Sequence, residues 1–206
     1  MDERKDALCT FCRLVYDRRL ASGTGGNISV RHKDGFLCTP SARSLRTVRP
    51  ETVSVLNPRG QPVKGEAPTR ELGMHLAVLA KRPDMEVVFH LHGAHIIAAS
   101  TLLMPGPDSL PPLTPEFVFH AHPLPMLPFM VPGSRELREA ASHSFSDTQT
   151  KALLLQNHGI ITVGRDFEEA LNVTEAVDEA ARIYVLTQGN ASLIPKECIA
   201  EIKAIP

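Results

Sequence analysis

The stretch VVFHLHGAH, residues 87–95, places three histidines within six positions, directly behind a short apolar run. In a β-strand, side chains two residues apart point to the same face, so His90 and His92 should share one face of the sheet. The apolar residues that alternate with them should fill the other face. The pattern therefore predicts a buried strand, ended by Gly93, that presents two imidazoles side by side.

Helix and strand signals alternate on both sides of this stretch. Apolar spacing and cap residues predict helices over 3–20, within 68–83, and over 94–103, 134–145 and 166–189. Strands are predicted over 28–32, 35–40 and 85–92, in short segments between 47 and 65, and as a pair within 151–164. The proline-rich connection 105–132 should be irregular and stiff, with brief strands around 116–122. Because no clean βαβ repeat emerges, we expect one mixed or mainly antiparallel sheet layered with helices.

The overall composition favours one enzyme-sized domain and a small ligand. The 206 residues are 43% hydrophobic, which is enough for a full core, so residues 1–206 are interpreted as a single domain. Lys plus Arg (22) nearly balances Asp plus Glu (23), and no basic tract stands out, so neither nucleic acid nor a membrane is expected as a partner. The charged N-terminus and the lack of a long apolar run predict a cytoplasmic protein.

Cys9 and Cys12 form a C-x-x-C pair, which in other settings indicates redox or metal chemistry. Here they lie in an amphipathic helical pattern, with no second pair in the chain. The pattern favours packing in the core.

A metal site is the chemistry that the paired histidines suggest most directly. A catalytic zinc ion takes three protein ligands and keeps one position open. His158, at a predicted corner between two strands and followed by a glycine that would let the backbone turn tightly, is the expected third ligand beside His90 and His92. The alternative is that each histidine is only a hydrogen-bonded structural residue. Second-choice ligands are His75, His95, His120 and His122, and the last two are also candidates for substrate contact.

Three neutral imidazoles leave a metal its full double charge, which suits Lewis-acid work on an oxygen-rich substrate. Such chemistry also needs a proton carrier. Glu71, expected in the first turn of a helix, is the candidate general acid and base, with surface capping of that helix as the alternative. Zinc is favoured by the three nitrogen ligands, and manganese, cobalt and iron also fit them.

The loop GTGGN, residues 23–27, lacks the spacing of both standard phosphate fingerprints. Its glycines still allow several backbone N–H groups to converge on an anion, and Thr24 and Asn27 add side-chain donors. Further hydroxyls and cations are offered by Thr39, Ser41, Thr69, Arg43 and Arg70. The alternative is a loop that only connects a helix to a strand.

Taken together, five segments resemble the class II aldolase/adducin family. They are SGTGGNISVR (22–31), LCTPSA (37–42), APTRE (67–71), VVFHLHGAH (87–95) and LLLQNHGIITVG (153–164). The resemblance implies a three-layer α/β/α sandwich around a largely antiparallel sheet, and a homotetramer with active sites at subunit interfaces. It also implies a carbon–carbon lyase that acts on a sugar phosphate through a metal-stabilised enediolate.

The resemblance assigns a role to each motif residue. It implies that His90, His92 and His158 bind zinc and that Glu71 is the general acid and base. The residues that it places in the phosphate-binding loops are Thr24, Gly25, Asn27, Ser41 and Thr69. Arg70 stands where the family's aldolases typically have a serine, so it should bind a phosphate or a carboxylate through its guanidinium.

The segment 113–133 is more similar to the branch of the family that decarboxylates 3-oxo-tetronate 4-phosphates. No clear counterpart exists for a tyrosine that assists protonation in the aldolases, since Tyr16 and Tyr184 both lie in predicted helices. Aldol cleavage and decarboxylation therefore both stay open, and family dehydratases and epimerases are further alternatives. Outside the enzymes, the alternatives are a non-catalytic, adducin-like interaction module and a cupin-type oxygenase, whose H-x-H strand is followed by further strands.

Overall fold

The computed structural model of the chain describes residues 2–205. Its helices are α1 (Glu3–Asp17), α2 (Leu72–Lys81), α3 (Ala94–Leu102), α4 (Pro115–His120), α5 (Arg135–Ser144), α6 (Phe167–Leu186) and α7 (Lys196–Lys203). Its strands are β1 (Asn27–His32), β2 (Gly35–Cys38), β3 (Ser54–Leu56), β4 (Pro62–Lys64), β5 (Val87–Leu91), β6 (Met126–Leu127), β7 (Ala152–Leu155) and β8 (Gly159–Gly164).

The strands form one sheet of eight, in the order β4-β3-β2-β1-β5-β8-β7-β6. Every neighbouring pair is antiparallel except β6 and β7, which run parallel. Strand β5 is central, and its partners β1 and β8 pair with it along its length; His90 lies opposite Asn27 on one side and Ile161 on the other. The mainly antiparallel sheet predicted from the sequence is therefore confirmed.

Helices cover both faces of the sheet. Val87, Phe89 and Leu91 of β5 belong to a large apolar cluster with residues of α1, α3, α4 and α6. Val88, between them on the opposite face, belongs to a second cluster with residues of α2 and α5. Side chains of this one strand thus pack into two cores, because successive side chains point to opposite faces of the sheet. The predicted three-layer sandwich is confirmed.

The segment after β5 also separates this fold from a cupin. Residues 94–102 form α3, as the sequence predicted, so the strand with the paired histidines is followed by a helix and not by further strands.

Residues 115–120 differ from the prediction. They form α4, where the sequence predicted brief strands around 116–122. The hydroxyl of Thr114 accepts a hydrogen bond from the Phe117 backbone N–H at 3.2 Å, and Pro115 occupies the first helical position. This start signal outweighs the β preference of the aromatic residues. A brief strand does occur nearby, as β6.

Cys9 and Cys12 are buried in α1, within the larger apolar cluster. Burial raises the pKa of the Cys9 thiol to about 11, so this group stays protonated and unreactive at neutral pH. The core-packing interpretation is confirmed.

None of the helices between residues 2 and 205 combines the length and the apolar character that crossing a bilayer requires.

Candidate metal centre

The two histidines of the central strand meet on one face of the sheet, as the strand alternation predicted. His90 is buried in β5, and His92 follows the last residue of that strand. Their Nε2 atoms lie 2.9 Å apart. The Nδ1 atom of His90 lies 3.0 Å from the carbonyl oxygen of Ile160, to which only an N–H can donate. This bond orients the ring, so that Nε2 points to the other histidines.

His158 joins this pair from the turn between β7 and β8. Its Nε2 atom lies 3.3 Å from that of His90. The sequence predicted that the glycine after His158 makes the tight turn, and this detail was wrong. Asn157, with φ 57°, is the residue in the left-handed region, and Gly159 is part of β8. A Cβ atom at Gly159 would lie 2.3 Å from the carbonyl oxygen of Leu91, so this glycine permits close approach of two strands.

Glu71 faces the three imidazoles and does not cap its helix. It is the N-cap residue of α2, one position before the predicted first turn, and its side chain makes no capping hydrogen bond. Its Oε2 atom accepts a hydrogen bond from Nδ2 of Asn27 at 3.0 Å and lies 3.2 Å from Nε2 of His90. Its Oε1 atom lies 3.8 Å from Nε2 of His158. The surface-capping alternative is therefore wrong.

These four side chains could hold a metal ion. One ligand atom from each of Glu71, His90, His92 and His158 lies within 4.8 Å of the others. Two nitrogens bound to one tetrahedral zinc ion are about 3.4 Å apart, close to the separations found here. The Oε1 atom of Glu71 is buried and has no hydrogen-bond partner among residues 2–205. A buried oxygen of this kind is costly unless it binds a proton or a cation, so the donor set fits a divalent metal.

Burial and mutual repulsion keep the outer imidazoles in their neutral, metal-binding form. Burial, together with the neighbouring His90 and His158 rings, lowers the pKa of His92 to about 3. Burial and the His90 ring lower the pKa of His158 to about 4. For Glu71, burial opposes ionisation, but the neighbouring His90 ring and the hydrogen bond from Asn27 outweigh it and hold the pKa well below its usual range. At neutral pH the cluster thus offers two neutral imidazoles, from His92 and His158, and a carboxylate.

A cavity of about 320 Å³ opens beside this cluster. It is lined by all six residues predicted to bind substrate or phosphate, namely Thr24, Gly25, Asn27, Ser41, Thr69 and Arg70, together with Glu71 and His92. Of the two arginines that the sequence offered, Arg43 is bound by both oxygens of the Glu66 carboxylate and does not line the cavity. The hydroxyl of Thr39 accepts the backbone N–H of Ile28 and is likewise used inside the fold.

Two further histidines, His120 and His122, lie away from this cavity. His120 lines a different cleft, of about 410 Å³, whose walls come largely from α6. His122 pairs with Asp108, with Nε2 and Oδ2 3.1 Å apart. Within one chain, neither of these two candidates for substrate contact reaches the cavity of the glycine loop.

His75 was expected only as a second-choice ligand, yet it lies close to the cluster. It is fully buried on α2, its ring centroid is 6.4 Å from that of His90, and neither ring nitrogen has a hydrogen-bond partner within residues 2–205. Its spacing of four from Glu71 was the available signal, since residues four apart share a helix face.

The sequence and the fold are both similar to those of known proteins. The family model described as "Class II Aldolase and Adducin N-terminal domain" matches residues 6–185. The 3-oxo-tetronate 4-phosphate decarboxylase of Haemophilus influenzae is 33% identical over 188 residues, which are 90% of this chain and 89% of that protein. The L-fuculose phosphate aldolase of Methanococcus maripaludis is 34% identical over 177 residues, 85% of this chain and 93% of that protein.

The fold is also similar to the crystal structure of YgbL from Klebsiella pneumoniae. The TM-score is 0.89 at 28% identity, over 98% of this chain and 99% of that one. Matches of this length, in sequence and in fold, cover nearly all of the sheet and the helices that build the cluster. The chain belongs to the class II aldolase and adducin family.

Proposed function

We propose that this protein is a divalent-metal-dependent carbon–carbon lyase that acts on a small sugar phosphate or sugar-acid phosphate. The observation that carries the proposal is the convergence of Glu71, His90, His92 and His158 within 4.8 Å, beside a cavity lined by the glycine loop. The named activities of the relatives, an aldolase and a decarboxylase, both break carbon–carbon bonds and support the same class.

His90, His92 and His158 would hold the metal ion, with zinc as the favoured metal and manganese, cobalt and iron as alternatives. When bound, such an ion supplies a Lewis acid for the negative charge that develops on substrate oxygen during bond cleavage. The Nδ1 bond from His90 to Ile160 keeps one ring oriented for this purpose.

Glu71 is proposed to carry the proton. Its Oε2 atom is held by Asn27, which leaves Oε1 free of hydrogen bonds among residues 2–205. When the carbon–carbon bond breaks, its electron pair passes toward the adjacent carbonyl group. Oε1 takes a proton from a substrate hydroxyl or from solvent and returns it to the carbon that has lost its substituent.

The glycine loop is proposed to bind the phosphate group. Its backbone N–H groups and the side chains of Thr24, Asn27, Ser41 and Thr69 offer donors along one wall of the cavity. Arg70 also lines this cavity and is proposed to add a guanidinium as a further donor to the anion.

The assembly is proposed to follow the family: a single domain over residues 1–206, in a cytoplasmic homotetramer with interface active sites. Phe129 and Val131 support the interface, since they are 56% and 66% exposed and directly precede the cavity residues Pro132 and Gly133. Exposed apolar side chains beside a cavity are typical of a surface that a partner covers.

The proposal is tested by a screen of phosphorylated aldoses, ketoses and 3-oxo acids, with carbon dioxide and aldehyde release measured separately. Glu71→Gln should retain metal and lose turnover by at least about 100-fold, because general acid–base catalysis contributes that much. Glu86→Gln, a surface carboxylate paired with Arg4, is the control and should be unaffected. A fully active Glu71→Gln variant would eliminate Glu71 as the proton carrier.

An adducin-like interaction module is the alternative from a different class. It would need no metal, and the retained donor set argues against it. A family dehydratase or epimerase would use the same metal, and the product screen separates both from a lyase, because neither releases carbon dioxide or an aldehyde.

A further inference from the structure

Four buried polar side chains lie between β1 and α2, beneath the metal cluster. We call them the polar strip: Asn27 and Ser29 on β1, Glu71 at the N-cap of α2, and His75 one turn along that helix. Each has a buried side-chain atom with no hydrogen-bond partner within residues 2–205, namely Oδ1 of Asn27, Oγ of Ser29, Oε1 of Glu71 and both ring nitrogens of His75. Ser29 and His75 neither line the glycine-loop cavity nor belong to the four metal donors.

The strand register turns Ser29 toward α2. Ser29 lies opposite Val88 of β5, and residues directly opposite each other in neighbouring strands share a face of the sheet. Val88 belongs to the apolar cluster that contains residues of α2 and α5. Ile28 and Val30, on either side of Ser29, belong to the other cluster. The Ser29 hydroxyl therefore points into the layer that contains His75.

Two hydrogen bonds align β1 with α2. Nδ2 of Asn27 donates to Oε2 of Glu71 at 3.0 Å, and Nη2 of Arg31 donates to the carbonyl oxygen of Leu79 at 2.7 Å. Four residues of strand span about 13 Å and eight residues of helix span about 12 Å, so the two elements stay level between these bonds. The serine of the polar strip is midway along the strand segment and the histidine is midway along the helix segment. These two residues therefore face each other.

Leaving Ser29 and His75 without partners would be unfavourable. Both residues are fully buried, and they do not hydrogen-bond to each other. Burial of a hydroxyl or an imidazole costs free energy unless a new hydrogen bond replaces those lost to solvent. Buried water molecules commonly supply such bonds, with about three to polar groups of the protein. The polar strip offers three groups for one water molecule: Ser29, His75 and Oδ1 of Asn27, which lies on the same face of β1 as Ser29.

We propose that a buried water molecule binds between Asn27, Ser29 and His75, and that Ser29 and His75 act through it as positioning residues for Glu71. The inference rests on the proposed function, in which Glu71 carries the proton. It deepens that function, because it names groups outside the cavity that hold this carboxylate in place. Partners of this kind orient the groups that do the chemistry.

The bound water fixes the orientation of the Asn27 amide. A histidine ring has at least one N–H, and a serine hydroxyl has one O–H. A water molecule that accepts a hydrogen bond from each has both lone pairs occupied, so it can only donate to Oδ1 of Asn27. The other end of the amide, Nδ2, is then directed to Oε2 of Glu71, as the 3.0 Å bond requires. With the amide reversed, two oxygen atoms would face each other at Glu71, and only donors would meet at the water.

Two measurements that need no substrate test the polar strip in the zinc-loaded protein. The first is a high-resolution crystal structure. It should show one ordered water within about 3.2 Å of Oδ1 of Asn27, of Oγ of Ser29 and of a ring nitrogen of His75.

The second measurement is the exchange of the Asn27 side-chain N–H with solvent, followed by NMR in protein with isotope-labelled asparagine. Exchange should be at least about tenfold faster in Ser29→Ala and in His75→Leu, because each variant removes a hydrogen bond that holds the amide. His75→Gln should restore part of the protection, since its amide can donate to the same water. Thr174→Val removes a buried hydroxyl on the other face of the sheet and should leave the exchange unchanged.

On a substrate that the product screen identifies, Ser29→Ala should lower kcat by about tenfold, with KM and zinc content unchanged, because only the proton carrier is affected. An unchanged kcat would overturn the positioning role. So would the lack of a water at this position, or Asn27 exchange that is no faster in Ser29→Ala and His75→Leu, or equally fast in Thr174→Val. A protein with the water and the protected amide but no released product refutes the lyase alone, and an active lyase without the water refutes the polar strip alone.

Discussion

At the scale of single residues, two glycines define the position of His92. A Cβ atom at Gly25 would lie 2.8 Å from Nδ1 of this ring, and one at Gly159 would lie 2.8 Å from its Cδ2 atom. The imidazole is therefore held between the glycine loop and the start of β8, with no space for a methyl group on either side. Preorganisation of this kind keeps a metal ligand in place before the metal binds.

Gly25→Ala should weaken metal binding by about tenfold or more, since the added methyl group displaces His92. Equilibrium dialysis against zinc measures the effect. Gly106→Ala is a matched control, because the nearest atom to its added Cβ is Oγ of Ser109 at 3.9 Å. Unchanged zinc affinity in Gly25→Ala would mean that the ring can move without loss.

His75, which is buried on α2, makes the stability of the fold depend on pH. Burial, and to a smaller extent the His90 ring, lower its pKa from 6.5 to about 3. Between these values the unfolded chain binds a proton that the folded chain does not, so the free energy of unfolding must fall as the pH falls through this window.

The free energy of unfolding of the metal-free protein should fall between pH 7 and pH 5. In His75→Leu this fall should be smaller by about 2 kcal/mol. Urea unfolding at both pH values, with chelator present, measures the difference. If the variant loses as much stability on acidification as the unmodified protein, His75 is not the group that titrates on unfolding.

At the scale of secondary structure elements, helix α3 holds the turn that carries His158. The backbone N–H of Asn157 donates to the hydroxyl of Ser100 at 3.0 Å, and that buried hydroxyl donates to the carbonyl oxygen of Ile97 at 2.7 Å. Asn157 is the left-handed residue of the turn. The position of His158 thus depends on a helix that contributes no ligand itself.

Ser100→Ala should lower metal affinity more than it lowers the stability of the metal-free protein, because it frees the turn without opening a large cavity. When the protein is loaded with cobalt, the absorption spectrum of the ion should also change in Ser100→Ala, because the ligand geometry changes. Ser100→Thr should restore the metal affinity and the spectrum. Ser142→Ala, which removes a similar bond from α5 to Ala77 of α2, serves as the comparison. A cobalt spectrum identical to that of the unmodified protein would show that the turn holds its shape alone.

The same scale shows how far the sequence could predict the elements. Period-two alternation in β5 predicted the shared face of His90 and His92, because this rule is local. The start of α2 could not be located from the sequence. This helix begins after Glu71 and not before it, because the fold turns the Glu71 carboxylate toward the histidines and away from the helix end. Residues 115–120 were missed because one threonine cap and one proline decided the outcome.

At the scale of the whole molecule, sheet topology creates the cluster. The end of β5 lies beside the start of β8, with Leu91 opposite Ile160, although the two strands are about 70 positions apart in the chain. Sequence spacing alone does not predict this pairing of strands. His158 was expected beside His90 because it lies at a corner between two predicted strands, and the resemblance to the family implied the same ligand. The position of α5 over α2 could not be predicted from the sequence, because it depends on the packing of the second apolar cluster.

We propose that three imidazoles hold a divalent metal beside the Glu71 carboxylate, and metal content tests this proposal most directly. After purification without chelator and dialysis against zinc, the protein should bind about one ion per chain. His92→Ala should bind less than about a tenth of that, whereas His95→Ala, whose ring pairs with Asp178 outside the cluster, should bind as the unmodified protein does. No bound zinc in the unmodified protein, or full occupancy in His92→Ala, would contradict the account.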